Sequence, residues 1–143
     1  LDVAVNLLTM QALSNGKITV MGGEQTRPNI HIDDITDLYI FLLDRPDVTG
    51  IFNAGFENIS ILNIAHLVNR QVSAQILVAE SSDPRSYRVN SDKLLATGFK
   101  PKKTVENAIS EIVEKFHSGV LKDEDHFYNL RWMEKEVLKD KMA

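Results

Sequence analysis

Arg27 and Arg85 are the side chains of this sequence best placed to act on a charged ligand. Each lies beside a proline in a stretch between regular elements, Arg27 before Pro28 and Arg85 after Pro84. Proline lacks an N–H, fixes its own φ and biases the residue before it toward an extended backbone. A guanidinium held in that way presents a planar fork of donors that matches a phosphate or a carboxylate. Two such forks converging on one cleft would bind a diphosphate. Convergence depends on the fold, and the same side chains can instead pair locally, Arg27 with Glu24 or Asp33. Asn6 is a third polar candidate. It sits inside a very apolar helical stretch, and a buried amide needs partners, either a neighbouring loop or a ligand.

Other chemistries are poorly supplied. The four histidines lie far apart, and none has a second histidine or a carboxylate at metal-ligand spacing, so no metal site is expected. His31 beside Asp33 and Asp34 reads as a polar contact at the end of a strand. There is no cysteine, which excludes disulfides and thiolate chemistry. The sequence has no Gly-x-Ser-x-Gly elbow, Walker loop or Gly-x-Gly-x-x-Gly turn. Its net charge of −4, with no basic cluster, argues against nucleic acid as a partner. No apolar run reaches the length of a membrane span and no signal-peptide pattern is present, so a cytoplasmic location fits.

The elements that must carry the arginines follow from periodicity. At 143 residues and 43% apolar composition, one domain with a real core is expected. Residues 1–14 read as a mostly buried helix with Asp2 as a possible cap and Asn15-Gly16 as its stop. The chain opens directly in this apolar pattern, as a piece of a longer polypeptide would. Lys17 to Met21 predicts a strand, with the Gly22-Gly23 turn after it. Asn29 to Ile32 alternate as a second strand, and Asp33 or Asp34 can cap the helix that follows. In that helix Ile35, Leu38, Tyr39, Leu42 and Leu43 predict a core stripe. A strand over 50–54, a helix capped by Ser60 and a strand over 74–79 form one crossover unit, favouring a parallel α/β arrangement. The polar loop 80–90 follows, then a short helix from Ser91 to Gly98. Thr104 caps the best helix, stopped by Gly119, with Glu111 and Lys115 as an i, i+4 pair. A last amphipathic segment carries Phe127, Leu130, Met133 and Val137.

In this order the motifs resemble the C-terminal part of an extended short-chain dehydrogenase/reductase, the NAD-dependent nucleotide-sugar epimerase and dehydratase family. Ile18 to Gly22 looks like the strand along the nucleotide base. Arg27, His31 and Asp34 fall on that family's Arg-x-x-x-His-x-x-Asp segment, and Asn53-Ala54-Gly55 on its Asn-x-Gly strand end. Arg85, Tyr87, Lys93 and Gly98-Phe99-x-Pro101 match the series leading into its last helix. The resemblance implies an α/β fold, the C-terminal portion of a Rossmann-like fold with the substrate-binding lobe over residues 1–118; beyond it, residues 119–143 read as a C-terminal helical extension. It implies a nucleotide-diphosphate sugar as ligand, with Arg27 and Arg85 gripping the diphosphate. Asn6 and Asn29 would face the ligand, and Thr19 and Met21 would lie near the base. Asn90 stands where many relatives carry an acid before the lysine.

The departures are as informative. The catalytic Tyr-x-x-x-Lys is absent, because Tyr39, Tyr87 and Tyr128 are followed four residues on by Leu43, Ser91 and Trp132. The cofactor glycines are absent too. No catalytic or cofactor-binding residue is therefore expected in this chain, nor NAD bound to it alone. NAD or NADP would belong to a full-length parent with the missing N-terminal cofactor domain. The alternative is a non-catalytic small-molecule-binding or protein-interaction module whose arginines are paired internally.

Overall fold

Helix α1, Ala4–Asn15, ends where Gly16 turns into the left-handed region at φ 62° and its N–H donates to the Ala12 carbonyl. That stop lies where glycine is expected, since a residue without Cβ enters this region at no cost. The other end differs from expectation. Val3 is the N-cap and supplies no side-chain bond, while the Asp2 carboxylate accepts from the Asn129 N–H at 3.0 Å. The computed structural model describes residues 1–137; the last six residues of the expected 119–143 extension lie outside the described residues.

Strand β1, Lys17–Met21, alternates as its sequence predicts, with Ile18 and Val20 fully buried. Strand β2 is Thr26–Asn29, three residues earlier than the expected 29–32, and helix α2 occupies Ile32–Leu43. The α2 N-cap is His31, whose Nδ1 accepts from the Asp33 N–H, so neither Asp33 nor Asp34 fills that role. Asp34 is engaged elsewhere, accepting the backbone N–H groups of Lys102 and Lys103 at 2.8 and 3.1 Å. Strand β3, Glu57–Ser60, runs without a linker into helix α3, Ile61–Gln71, which Ser60 caps as expected by accepting from the Asn63 N–H. Strand β4 is Gln75–Ala79.

Among the described residues the strands form two pairs. β1 and β4 are parallel, with Ile18 opposite Ile76, and β2 and β3 are antiparallel, with Arg27 opposite Ile59. The expected strand over 50–54 is not formed. Of its backbone groups the Ile51 carbonyl accepts from Lys93 Nζ, and just beyond the stretch the Ser91 hydroxyl holds both the N–H and the carbonyl of Gly55. The parallel crossover thus joins β1 to β4.

The core is built from α1, β1, α3 and helix α5, Val105–His117, through Val5, Leu8, Ile18, Val20, Ile64, Val68 and Ile109. α5 opens on a reciprocal pair in which Thr104 Oγ1 accepts from the Asn107 N–H and Asn107 Oδ1 from the Thr104 N–H. α2 departs from its expected role as a core helix. Ile35, Leu38 and Leu42 are half-buried, Tyr39 and Leu43 are exposed, and Asp34 is its one buried residue. The short helix α4, Asp92–Leu95, and a 3-10 turn at Asp125–Phe127 precede α6, Asn129–Trp132, and a π-helical turn at Met133–Val137. This last segment meets the start of the chain, where the Leu1 amino group donates to the Phe127 carbonyl. Leu130 and Met133 stay exposed. No helix among the described residues is long and apolar enough to cross a membrane.

Candidate functional site

The fold brings Arg27 and Arg85 onto one anion, the carboxylate of Asp83. Arg85 grips it two-fold, Nε to Oδ1 at 2.7 Å and Nη2 to Oδ2 at 2.8 Å. Arg27 reaches the same Oδ2 from β2 at 3.3 Å. Hydrogen bonding from Arg85, with the charges of both arginines added, holds the Asp83 carboxyl well below the usual carboxylate range, and Asp83 raises Arg85 in return. The Arg85 side chain is 77% exposed and that of Arg27 21%, so one wall of the fork is open and the other packed. Tyr87 supports the packed wall, its ring 5.2 Å from the Arg27 Cζ.

The loop carrying Asp83 and Arg85 is fastened to β2 and β3. Ser86 Oγ accepts from the Thr26 N–H at 3.0 Å, and the Tyr87 N–H donates to the Thr26 carbonyl. Asn58 bonds both backbone groups of Val89, and Arg27 Nη1 donates to the carbonyls of Thr26 and Arg85. Sequence reasoning sought the partner of Arg27 at Glu24 or Asp33 and passed over Asp83. The signal was Asp83-Pro84-Arg85, in which an aspartate can accept from the backbone N–H two residues on; Asp83 Oδ1 does so at 3.1 Å.

The other candidates lie elsewhere. Asn6 and Asn29 line a cavity of about 920 Å³, together with His31, Lys103 and Glu111, and neither arginine lines it. Asn29 faces inward on its own strand pair, its Nδ2 donating to the carbonyls of Arg27 and Glu57. Thr19 and Met21 occupy the outer face of β1, opposite in sense to Ile18 and Val20. The Thr19 N–H donates to Gln11 Oε1.

In the cavity wall the fold makes a contact that spacing did not reveal. His31, Asp33 and Glu111 present ligand-type atoms within 4.8 Å of one another. The His31 Nδ1 is already an acceptor from the Asp33 N–H, and its Nε2 lies 3.3 Å from Glu111. Lys103 Nζ stands 2.6 Å from Glu111 and 3.4 Å from Asp33, supplying the positive charge at this point. The expected Glu111–Lys115 pair is replaced by this contact. The Gly22-Gly23 turn after β1 leads into β2, so no helix N-terminus stands there to meet a pyrophosphate.

No protein-family profile matches the chain. In sequence it is similar to the GDP-L-fucose synthase of Sinorhizobium fredii, 31% identical over 111 residues, covering 73% of this chain and 35% of that protein. In structure it is similar to the ADP-L-glycero-D-manno-heptose-6-epimerase of Helicobacter pylori, with TM-score 0.69, 16% identity, and coverage of 80% of this chain and 37% of the other. It is also similar to the UDP-glucuronic acid 4-epimerase of Bacillus cereus, solved with UDP-glucuronic acid and NAD, at TM-score 0.68 and 22% identity, covering 82% of this chain and 40% of that one. The chain thus spans about two fifths or less of the length of these relatives.

Proposed function

We propose that this chain, similar in sequence to a GDP-L-fucose synthase and in fold to nucleotide-sugar epimerases, is the substrate-binding, C-terminal part of an extended short-chain dehydrogenase/reductase, an NAD-dependent nucleotide-sugar epimerase or dehydratase. The observation that carries the reading is the pair of guanidiniums on one carboxylate. A carboxylate and a phosphate present similar oxygen pairs to a planar fork, so a site that holds Asp83 in this way can hold a diphosphate. In this reading the nucleotide base lies along Thr19 and Met21, and Asn6 and Asn29 face the ligand. No residue here acts as acid, base or hydride carrier. That chemistry, and the NAD or NADP that supplies it, belong to an N-terminal cofactor domain in the cytoplasmic parent enzyme. The open apolar side chains of α2, Tyr39 and Leu43, support such a partner.

Calorimetric titration of the full protein with a nucleoside diphosphate sugar tests this. Arg27→Ala or Arg85→Ala is expected to weaken binding roughly 10- to 150-fold while the circular dichroism spectrum is kept, as loss of a charge-assisted bond worth about 1.5–3 kcal/mol requires. Lysine restores part of the loss, since it keeps the charge without the fork. A second reading is favoured by the same contact: the arginines serve only to fasten the loop to β2. It requires that both variants lose stability and leave affinity unchanged.

A further inference from the structure

We propose that Asp83 is a built-in counter-anion that occupies the arginine fork and competes with the incoming ligand for it. The proposal rests on the reading of Arg27 and Arg85 as a diphosphate site and adds a residue acting against binding.

Three features carry it. Asp83 occupies the two-fold edge of Arg85, through its Nε and Nη2, and takes one bond from Arg27 Nη2. A ligand anion that seeks a two-fold grip from Arg85 through Nε and Nη2 therefore meets an edge already engaged. Next, the carboxylate stays ionised down to strongly acidic pH, held there chiefly by the Arg85 hydrogen bonds. The competitor is thus charged under all ordinary conditions. Finally, the loop does not depend on this ion pair for its course. Ser86, Tyr87, Val89 and Ser91 are each tied to β2, β3 or Gly55 by bonds that leave Asp83 out. Exchange is therefore local. The exposed Arg85 side chain can leave the carboxylate for a phosphate while Asp83 Oδ1 keeps its bond from the Arg85 backbone N–H. A diphosphate carries more negative charge and more acceptor oxygens than one carboxylate, so it wins the exchange, but with an apparent affinity lowered by the share of forks already filled.

Titration of the full protein with UDP and with GDP, by calorimetry, provides the test. Asp83→Asn and Asp83→Ser both keep an oxygen for the Arg85 N–H and remove the charge. Each is expected to tighten binding 3- to 10-fold, and the gain should vanish when combined with Arg85→Ala. In the unaltered protein the Arg85 Nε–H resonance should shift when either nucleotide is added. Variants that weaken binding, or leave it unchanged, overturn the proposal, as does an Arg85 resonance that stays in place while nucleotide binds. If Arg27→Ala and Arg85→Ala also bind as the unaltered protein does, the diphosphate reading itself falls. Tight binding lost in the arginine variants, with Asp83 variants no tighter, removes the counter-anion alone.

Discussion

Buried to 1% exposure, Asp34 spends its two oxygens on the backbone N–H groups of Lys102 and Lys103, and so ties the start of α2 to the approach of α5. Removing the carboxylate leaves both donors short of a partner in a half-buried place. Asp34→Ala is expected to cost about 1–3 kcal/mol, read as a lower urea midpoint with an unchanged slope. Its neighbour Asp33, exposed beside Lys103, should cost far less, since open ion pairs contribute about 0–1 kcal/mol. Two adjacent aspartates are indistinguishable to a local reading of caps. What separates them is a contact 68 residues away. A separation of 56 residues likewise hid Asp83 from Arg27. Local reasoning identified the arginines by their prolines, and it could rank only nearby carboxylates as their partners.

Caps and stops were the most legible features at the scale of elements. Ser60, Thr104 and Gly16 act where they were expected, because a cap is decided within one helical turn. Thr104→Ala, which removes one half of the reciprocal pair, is expected to lower stability by about 1 kcal/mol in thermal unfolding. The strand expected over 50–54 shows the opposite case. Its apolar residues suit a strand, yet a ladder needs a neighbour, and among the described residues none pairs with it; Lys93 takes the Ile51 carbonyl, and Ser91 the groups of Gly55 next to it. Gly55 ends that stretch for a steric reason. A Cβ added to it would meet the Pro28 Cβ at 3.0 Å, so Gly55→Ala should push β2 from the loop and destabilise by about 1–3 kcal/mol, visible in the same unfolding measurement.

The C-terminal segment offers a titration at the same scale. Burial, with the hydrogen bond from Tyr128 to Asp123 at 2.7 Å, pushes the Tyr128 phenol up to about 12. A pKa raised on folding contributes stability that is complete below pH 10 and lost as pH climbs toward 12. Docking of Asn129–Trp132 should therefore loosen across that interval. Absorbance near 295 nm is expected to show one tyrosine titrating late in the native protein and normally in urea. Tyr128→Phe, which cannot ionise, should remove the late step.

For the molecule as a whole, the sequence made the α/β class and the core helices legible and left the extent of burial open. Helical spacing in α2 tells which face seeks cover, and Ile35, Leu38 and Leu42 find part of it, but Tyr39 and Leu43 do not. Periodicity names the face and never the occupant. Alone in solution, the chain is expected to bind a hydrophobic dye and to sediment as associated species, and Tyr39→Lys with Leu43→Lys should reduce both. The proposed arginine site has its own consequence at this scale, in the order of folding events. Its bonds close loops of 56 and 58 residues, from Arg27 to Asp83 and to Arg85, and they need both strand pairs in place first. Contacts of such sequence separation come late, after the entropy of closing the loop has been offset by the core. Substitutions in the fork should accordingly leave the refolding limb of a chevron where it was and move only the unfolding limb. Ligand affinity can then be altered at Arg27, Asp83 and Arg85 without slowing the chain's route to its native state.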